Sequence, residues 1–206
     1  MKVTFGAVVI TAGICGLLSF ASLATSLGTD YWFIIETKNM SDFEDMSSHS
    51  GLWSINEGGK THADSIDSFA ADSSTYSDSE LRMLNMHGAI VVLLPLSLVL
   101  LLFGGICGLV SSLARSPVFL TATASYFFIC SFLTLCGASL YIIYSYQALD
   151  ETERLVGPEG LAYIHTSFGW SLGLAWLSYG LEVITGALML TAARMVKLRQ
   201  RGPTTA

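Results

Sequence analysis

The sequence predicts an all-α membrane protein, a bundle of four transmembrane helices, on three observations. First, four apolar stretches, 4–27, 87–113, 118–146 and 167–196, interrupt the chain. Each is long enough to cross a bilayer, which takes roughly 20 residues as a helix. Second, acidic residues gather in two segments, 28–86 and 147–166. Third, basic residues gather mainly in the other segments, at 1–3, 114–117 and 194–206. In hydrocarbon a spanning segment must satisfy its own backbone hydrogen bonds, which makes each stretch a helix. The whole of 1–206 reads as one four-span domain.

Charge sets the expected orientation. Lys2, Arg115, Arg194, Lys197, Arg199 and Arg201 occupy the N-terminus, the 114–117 turn and the C-terminal end, without a nearby Asp or Glu. Basic residues in short loops stay cytosolic. Both termini and the turn are therefore expected in the cytosol, and 28–86 and 147–166 outside. The first outer loop carries Asp30, Glu57, Asp78 and eight further acids against Lys38, Lys60 and Arg82, and the second carries four acids against Arg154.

The first span, 4–27, follows Lys2 and contains Ser22-Leu23-Ala24, features of a cleaved signal peptide. Its apolar run is about twice a typical h-region. Gly6, Ala12, Gly13 and Gly16 also suit a packed membrane helix, so the span is expected to be retained. Tyr31, Trp32 and Phe33 follow it at the outer interface, where amphipathic rings settle.

The first outer loop is uneven. Residues 31–37 (YWFIIET) are aromatic and β-branched and read as a strand, and 50–56 (SGLWSIN) read as a weaker one. Residues 62–79 are rich in Ser, Asp, Ala and Thr and read as solvated loop. Asn39-Met40-Ser41 is an N-glycosylation sequon on the expected outer face. Ser77-Asp78-Ser79-Glu80 forms a capping box, so the second helix starts near Asp78.

Pro95 inside the second span should bend it. Ser116-Pro117 is a natural helix start. From Pro117 to Gln147 a helix runs about 45 Å, longer than the ~30 Å hydrocarbon core, so the third helix tilts or projects outward. It is expected to continue through Leu155 before Gly157-Pro158 turns the chain, with a short strand at 161–166. Tyr141, Tyr144 and Tyr146 close the third span, and Phe168 and Trp170 open the fourth.

Cys15, Cys107, Cys130 and Cys136 all fall in the spans, so no disulfide can staple the outer loops. They read as packing residues, with palmitoylation of Cys107 an alternative. Glu182 is the only acid inside a span. An intramembrane carboxyl is costly and marks a functional site by default. The competing reading is a protonated or hydrogen-bonded acid facing Ser, Thr or Tyr of a neighbouring helix. Gly104 with Gly108, and Gly169 with Gly173, have small-x3-small spacing. Packing within one chain is favoured for them over dimerisation, and homo-oligomerisation stays open. The terminal Thr204-Thr205-Ala206 has Thr204 placed as in a PDZ ligand, but Ala206 is a weak anchor.

Enzyme chemistry is not indicated. His49, His62, His87 and His165 lack zinc-type spacing, and no phosphate-cradling loop or nucleophile elbow occurs. No catalytic residue, cofactor or metal is expected. The net charge of −6 disfavours nucleic acid as a partner.

A set of segments carries a family resemblance: GTDYW (28–32), SSHSGLW (47–53), MHG (86–88), LLPLSL (93–98), FGG (103–105), SFGWS (167–171), TGA (185–187) and AAR (192–194). It resembles the claudin and peripheral myelin protein 22 superfamily, and within it the branch containing transmembrane proteins 114 and 235. The resemblance implies a left-handed four-helix bundle with a small extracellular antiparallel sheet. It gives Trp32, Gly51, Leu52, Trp53 and Arg82 the role of family motif. It also implies non-enzymatic work at the plasma membrane: cell–cell contact, membrane organisation or channel regulation. Expected partners are the lipid bilayer and other membrane proteins. The family's two outer cysteines are missing: Asn56 stands at the first position, and Thr61 and His62 near the second. The favoured reading is cell contact or membrane organisation through the outer loops, with an auxiliary cation-channel or receptor subunit as the alternative.

Overall fold

A computed structural model describes residues 4–37, 46–53, 55–57, 60–62, 78–156 and 164–201. Asn39 and Thr204 lie outside the described residues, as does most of the 62–79 stretch. Four long helices are present: α1 (Phe5–Leu27), α2 (Asp78–Ala114), α3 (Pro117–Val156) and α4 (Trp170–Arg201). All four are long and apolar enough to cross a membrane. Their exposed side chains include Leu17, Leu109, Val118 and Phe132. Such broad apolar exposure is what lipid, not water, tolerates.

The helix ends follow local chemistry. α2 begins at Asp78 within the capping box and runs unbroken through Pro95. Ala114 ends it, and Arg115 adopts a left-handed backbone with φ 48°. A left-handed residue just past a helix end closes the last turn. Pro117 then opens α3, where its missing N–H is no loss. With 40 residues, α3 is about 60 Å long, so roughly half of it must project beyond a ~30 Å core.

Five strands form one antiparallel sheet in the order β4-β3-β2-β1-β5. They are β1 (Phe33–Thr37), β2 (Met46–Ser50), β3 (Ile55–Glu57), β4 (Lys60–His62) and β5 (Ile164–Phe168). β1 sits between β2 and β5, with Phe33 opposite both Ser50 and Phe168. The β-branched, aromatic segment thus takes a position paired on both sides. Two expectations need correction. The strand expected at 50–56 is interrupted: Gly51-Leu52-Trp53 joins β2 to β3 instead. Of the strand expected at 161–166, residues 161–163 lie outside the described residues; the described part, β5, runs on to Phe168, so Ser167 and Phe168 are sheet residues and the fourth helix starts only at Trp170. β4 was not foreseen, because a three-residue polar strand shows no alternation to read.

The chain forms two compact units. The first comprises Met1–Ala24, Pro95–Leu135 and Ala175–Ala206, and the second Thr25–Leu94 and Cys136–Leu174. The first unit packs its helices around Val8, Ala12, Leu120, Ala124, Met189 and Ala192. Small residues set the spacing there. A Cβ on Gly104 would lie 3.0 Å from the Tyr126 ring, and one on Gly108 would lie 3.2 Å from Met189. These two glycines therefore serve packing within the chain. Gly169 and Gly173 do not form a second such pair. Gly169 sits at the strand–helix junction against the Tyr31 carbonyl, and Gly173 has open space around it.

Candidate functional site

The first unit contains a buried polar layer centred on Glu182. Ser19 of α1, Ser97 of α2, Thr134 of α3, and Ser178 and Glu182 of α4 are all fully buried. Thr134 Oγ1 donates to Glu182 Oε1 at 3.0 Å, and Ser178 Oγ donates to the same oxygen at 3.1 Å. Ser97 Oγ lies 2.6 Å from Thr134 Oγ1, and Ser19 Oγ lies 2.9 Å from Ser178 Oγ. Ser178 and Glu182 share a helix face because they are four residues apart.

Each hydroxyl has one proton to give. An ionised Glu182 is served by two converging chains, Ser97 to Thr134 to the carboxylate and Ser19 to Ser178 to the carboxylate. A protonated Glu182 is served as well. Ser178 can then donate to the Ser19 carbonyl at 3.0 Å, and Ser19 to the Ser178 carbonyl at 3.2 Å. The acid's own proton then goes to a freed hydroxyl oxygen. Among the described residues no buried side-chain polar atom lacks a partner. The layer ties four helices together and fixes their rotation, since any turn of one helix would break a bond in the hydrocarbon. Among the described residues no Lys, Arg or His takes part.

The second unit holds the family-motif residues. Trp32 is fully buried. Its Nε1 donates to the Ser26 carbonyl at 2.8 Å, and its ring lies 4.7 Å from that of Tyr141. Ser26 Oγ donates to the Ser171 carbonyl at 2.7 Å, tying α1 to α4. Leu52 is also buried, and its backbone is hydrogen-bonded to His87 of α2. A side chain at Gly51 would collide with Asp30. Trp53 differs from Trp32. It is 40% exposed, and its Nε1 donates to the Leu27 carbonyl at 2.8 Å, capping the end of α1. Arg82 is exposed on α2.

One side of this unit presents aromatic rings. Tyr31 stacks on His49 with ring centroids 4.6 Å apart, and Trp170 lies 5.9 Å from Tyr31. Tyr146 meets Phe168 edge-on at 5.9 Å. Tyr31, Tyr146, Phe168 and Trp170 are all exposed. Exposed, mutually packed Tyr and Trp suit either the lipid headgroup level or a protein partner.

The missing cysteines find a structural counterpart. The register of β3 and β4 sets Asn56 directly opposite Thr61. Backbone pairing closes this hairpin without a covalent bond.

Sequence reasoning singled out Glu182 but not the hydroxyls that hold it. Ser and Thr inside a membrane helix normally bond back to the preceding turn, so their types alone carry no signal. Their common depth on four helices was the available clue. Gly137 was also missed: a Cβ there would lie 2.6 Å from Leu94.

Fold and site define a class: a four-span membrane protein with a small antiparallel sheet anchored by a buried Trp. The family model for PMP-22/EMP/MP20/Claudin tight junction proteins matches residues 17–191. The chain belongs to this family. It is 29% identical over 184 residues to the voltage-dependent calcium channel gamma-3 subunits of Rattus norvegicus, Mus musculus and Homo sapiens. The match covers 82% of this chain and 56% of each relative. The chain thus spans little more than half the length of the curated relatives it matches.

Proposed function

We propose that this protein is a non-enzymatic auxiliary subunit that associates laterally with a cation channel or receptor in the plasma membrane. The observation that carries the reading is the match to calcium channel gamma-3 subunits across most of the chain. The geometry agrees with it. The buried polar groups of the first unit hold its own helices together, while large apolar side chains face outward. Such a surface suits contact with other membrane helices. Acidic outer loops would also raise the cation concentration near a partner's outer mouth. The experiment is co-expression with the pore-forming subunit of a voltage-dependent calcium channel. Co-purification together with a changed current density or inactivation supports the reading. Unchanged currents and no co-purification remove it for that channel class.

Contact between cells is the second reading, favoured by the family's tight-junction members and by the outer sheet. Its test is expression in non-adherent cells, where clustering enriched at cell contacts supports it.

Both readings place the termini in the cytosol and Asn39 outside. Peptide N-glycosidase should increase gel mobility of the wild type and leave Asn39→Gln unchanged. A C-terminal tag should be reached by antibody only after permeabilisation. A tag stained on intact cells would reverse the orientation.

A further inference from the structure

Two grooves open in the first unit, both lined by its basic residues. One, of about 820 Å³, lies among α1, the end of α2 and α4, with Arg115 and Arg199 at its rim. Arg115 is already engaged there, 5.9 Å above the Phe5 ring. The other, of about 770 Å³, lies between the first turns of α3 and the last turns of α4. Its apolar wall comprises Val118, Ala122, Leu190 and Ala193, and its rim carries Arg194, Lys197 and Arg201.

We infer that this second groove binds one anionic glycerophospholipid whose headgroup carries more than one phosphate. Three observations select that occupant. The first is charge. Arg194, Lys197 and Arg201 are exposed, and no Asp or Glu occurs in 81–149 or 183–206 to neutralise them. The second is spacing. Steps of three and four residues set the three cations on one face of α4, while Arg199 turns to the other groove. Arg194 and Arg201 are about 10 Å apart along the axis. Cations spread over that distance can each take a phosphate of their own from a headgroup that carries several, which one phosphate cannot offer. The third is the join of apolar wall to basic rim. Leu190, Ala193 and Ala122 offer an acyl chain a bed that ends at the cations, which is the order of parts in a phospholipid. The first turn of α3, opening at Pro117, adds its positive helix end to the same mouth.

The leaflet follows from the proposed topology, but the binding does not. The test therefore uses the purified full-length chain, with lipid added in detergent micelles. Native mass spectrometry would compare phosphatidylinositol 4,5-bisphosphate with phosphatidylcholine of the same acyl chains. The phosphoinositide adduct should be retained at least about tenfold better, the order expected from several charge-assisted phosphate contacts. The combined variant Arg194→Gln, Lys197→Gln, Arg201→Gln should lose that preference. Arg115→Gln with Arg199→Gln, in the other groove, should keep it. If the triple variant misfolds, Ala122→Trp tests the same site by filling the apolar wall while leaving every cation in place. It should also displace the lipid. Equal retention of the two lipids by the wild type overturns the proposal. So does an adduct that survives Ala122→Trp, or a protein dimer that this variant breaks, since the groove would then belong to a second copy.

Discussion

Trp32 and Trp53 look alike in the sequence, each beside a turn in the first outer segment, yet they do different work. Trp32 is wholly enclosed and packs on Tyr141. Trp53 keeps 40% of its surface exposed, so it buries less than Trp32, and it donates one hydrogen bond to the end of α1. Truncating a fully enclosed aromatic costs about 3–5 kcal/mol, and the cost falls as more of the ring is already exposed. Trp32→Ala should therefore lower the melting temperature in detergent far more than Trp53→Ala. Equal losses would show that Trp53 anchors the sheet as strongly as Trp32. Glu182 invites a second comparison. Glu182→Gln keeps a side chain of the same shape with both donor and acceptor, and should change stability by less than about 1 kcal/mol. Glu182→Ala removes the centre of the layer and leaves a void, and should cost about 2–4 kcal/mol. Thermal unfolding of the two variants decides. A Gln variant as damaged as the Ala variant would mean that the negative charge itself is required.

Among the elements, the helices were legible and the sheet only in part. Long apolar runs, Ser116-Pro117 and the capping box at 77–80 placed the helices and some of their ends, because lipid forces one solution on such segments. Strand β1 was legible from its β-branched residues. β2, with the sequence MSSHS, and β4, with KTH, were not. Their place is decided by pairing with neighbours, not by any preference of their own. The glycines divide the same way. Spacing identified Gly104 and Gly108, which meet ring and thioether side chains, but the same spacing at Gly169 and Gly173 meant nothing, because Gly169 precedes the helix. The β3–β4 register supplies an element-scale prediction. Asn56 and Thr61 are directly opposite, and opposed residues on antiparallel strands have Cα atoms about 4.5–5.5 Å apart, within disulfide range. With the sheet outside, as the proposed topology has it, the double variant Asn56→Cys, Thr61→Cys should oxidise spontaneously and add about 2 kcal/mol, the figure for so short a loop. Thiol labelling before and after reduction, with melting in each state, reads the result. Free thiols in the secreted-side protein would mean that the hairpin register differs.

For the whole molecule the question is whether it carries ions or attends a protein that does. Family members work at junctions and beside channels, so the fold alone does not answer. The buried layer argues against conduction through the first unit. Any path along the helices of the first unit has to cross the level of Ser19, Ser97, Thr134, Ser178 and Glu182, and all five are fully buried. A conducting constriction presents its polar groups to passing ions, whereas here the hydroxyls donate to one another, to backbone carbonyls and to the one acid. Tyr126 and Met189 fill the space beside Gly104 and Gly108 in the same unit. Opening a lumen would break several bonds at once in a medium that offers no replacement. The purified protein in planar bilayers should therefore show no unitary currents, and its expression alone in an epithelial layer should leave transepithelial resistance nearly unchanged. Any effect on conductance should appear only with a partner channel and should saturate with the amount of that channel. Reproducible single-channel events from the purified chain, abolished by Glu182→Gln, would refute this and make Glu182 the permeation site.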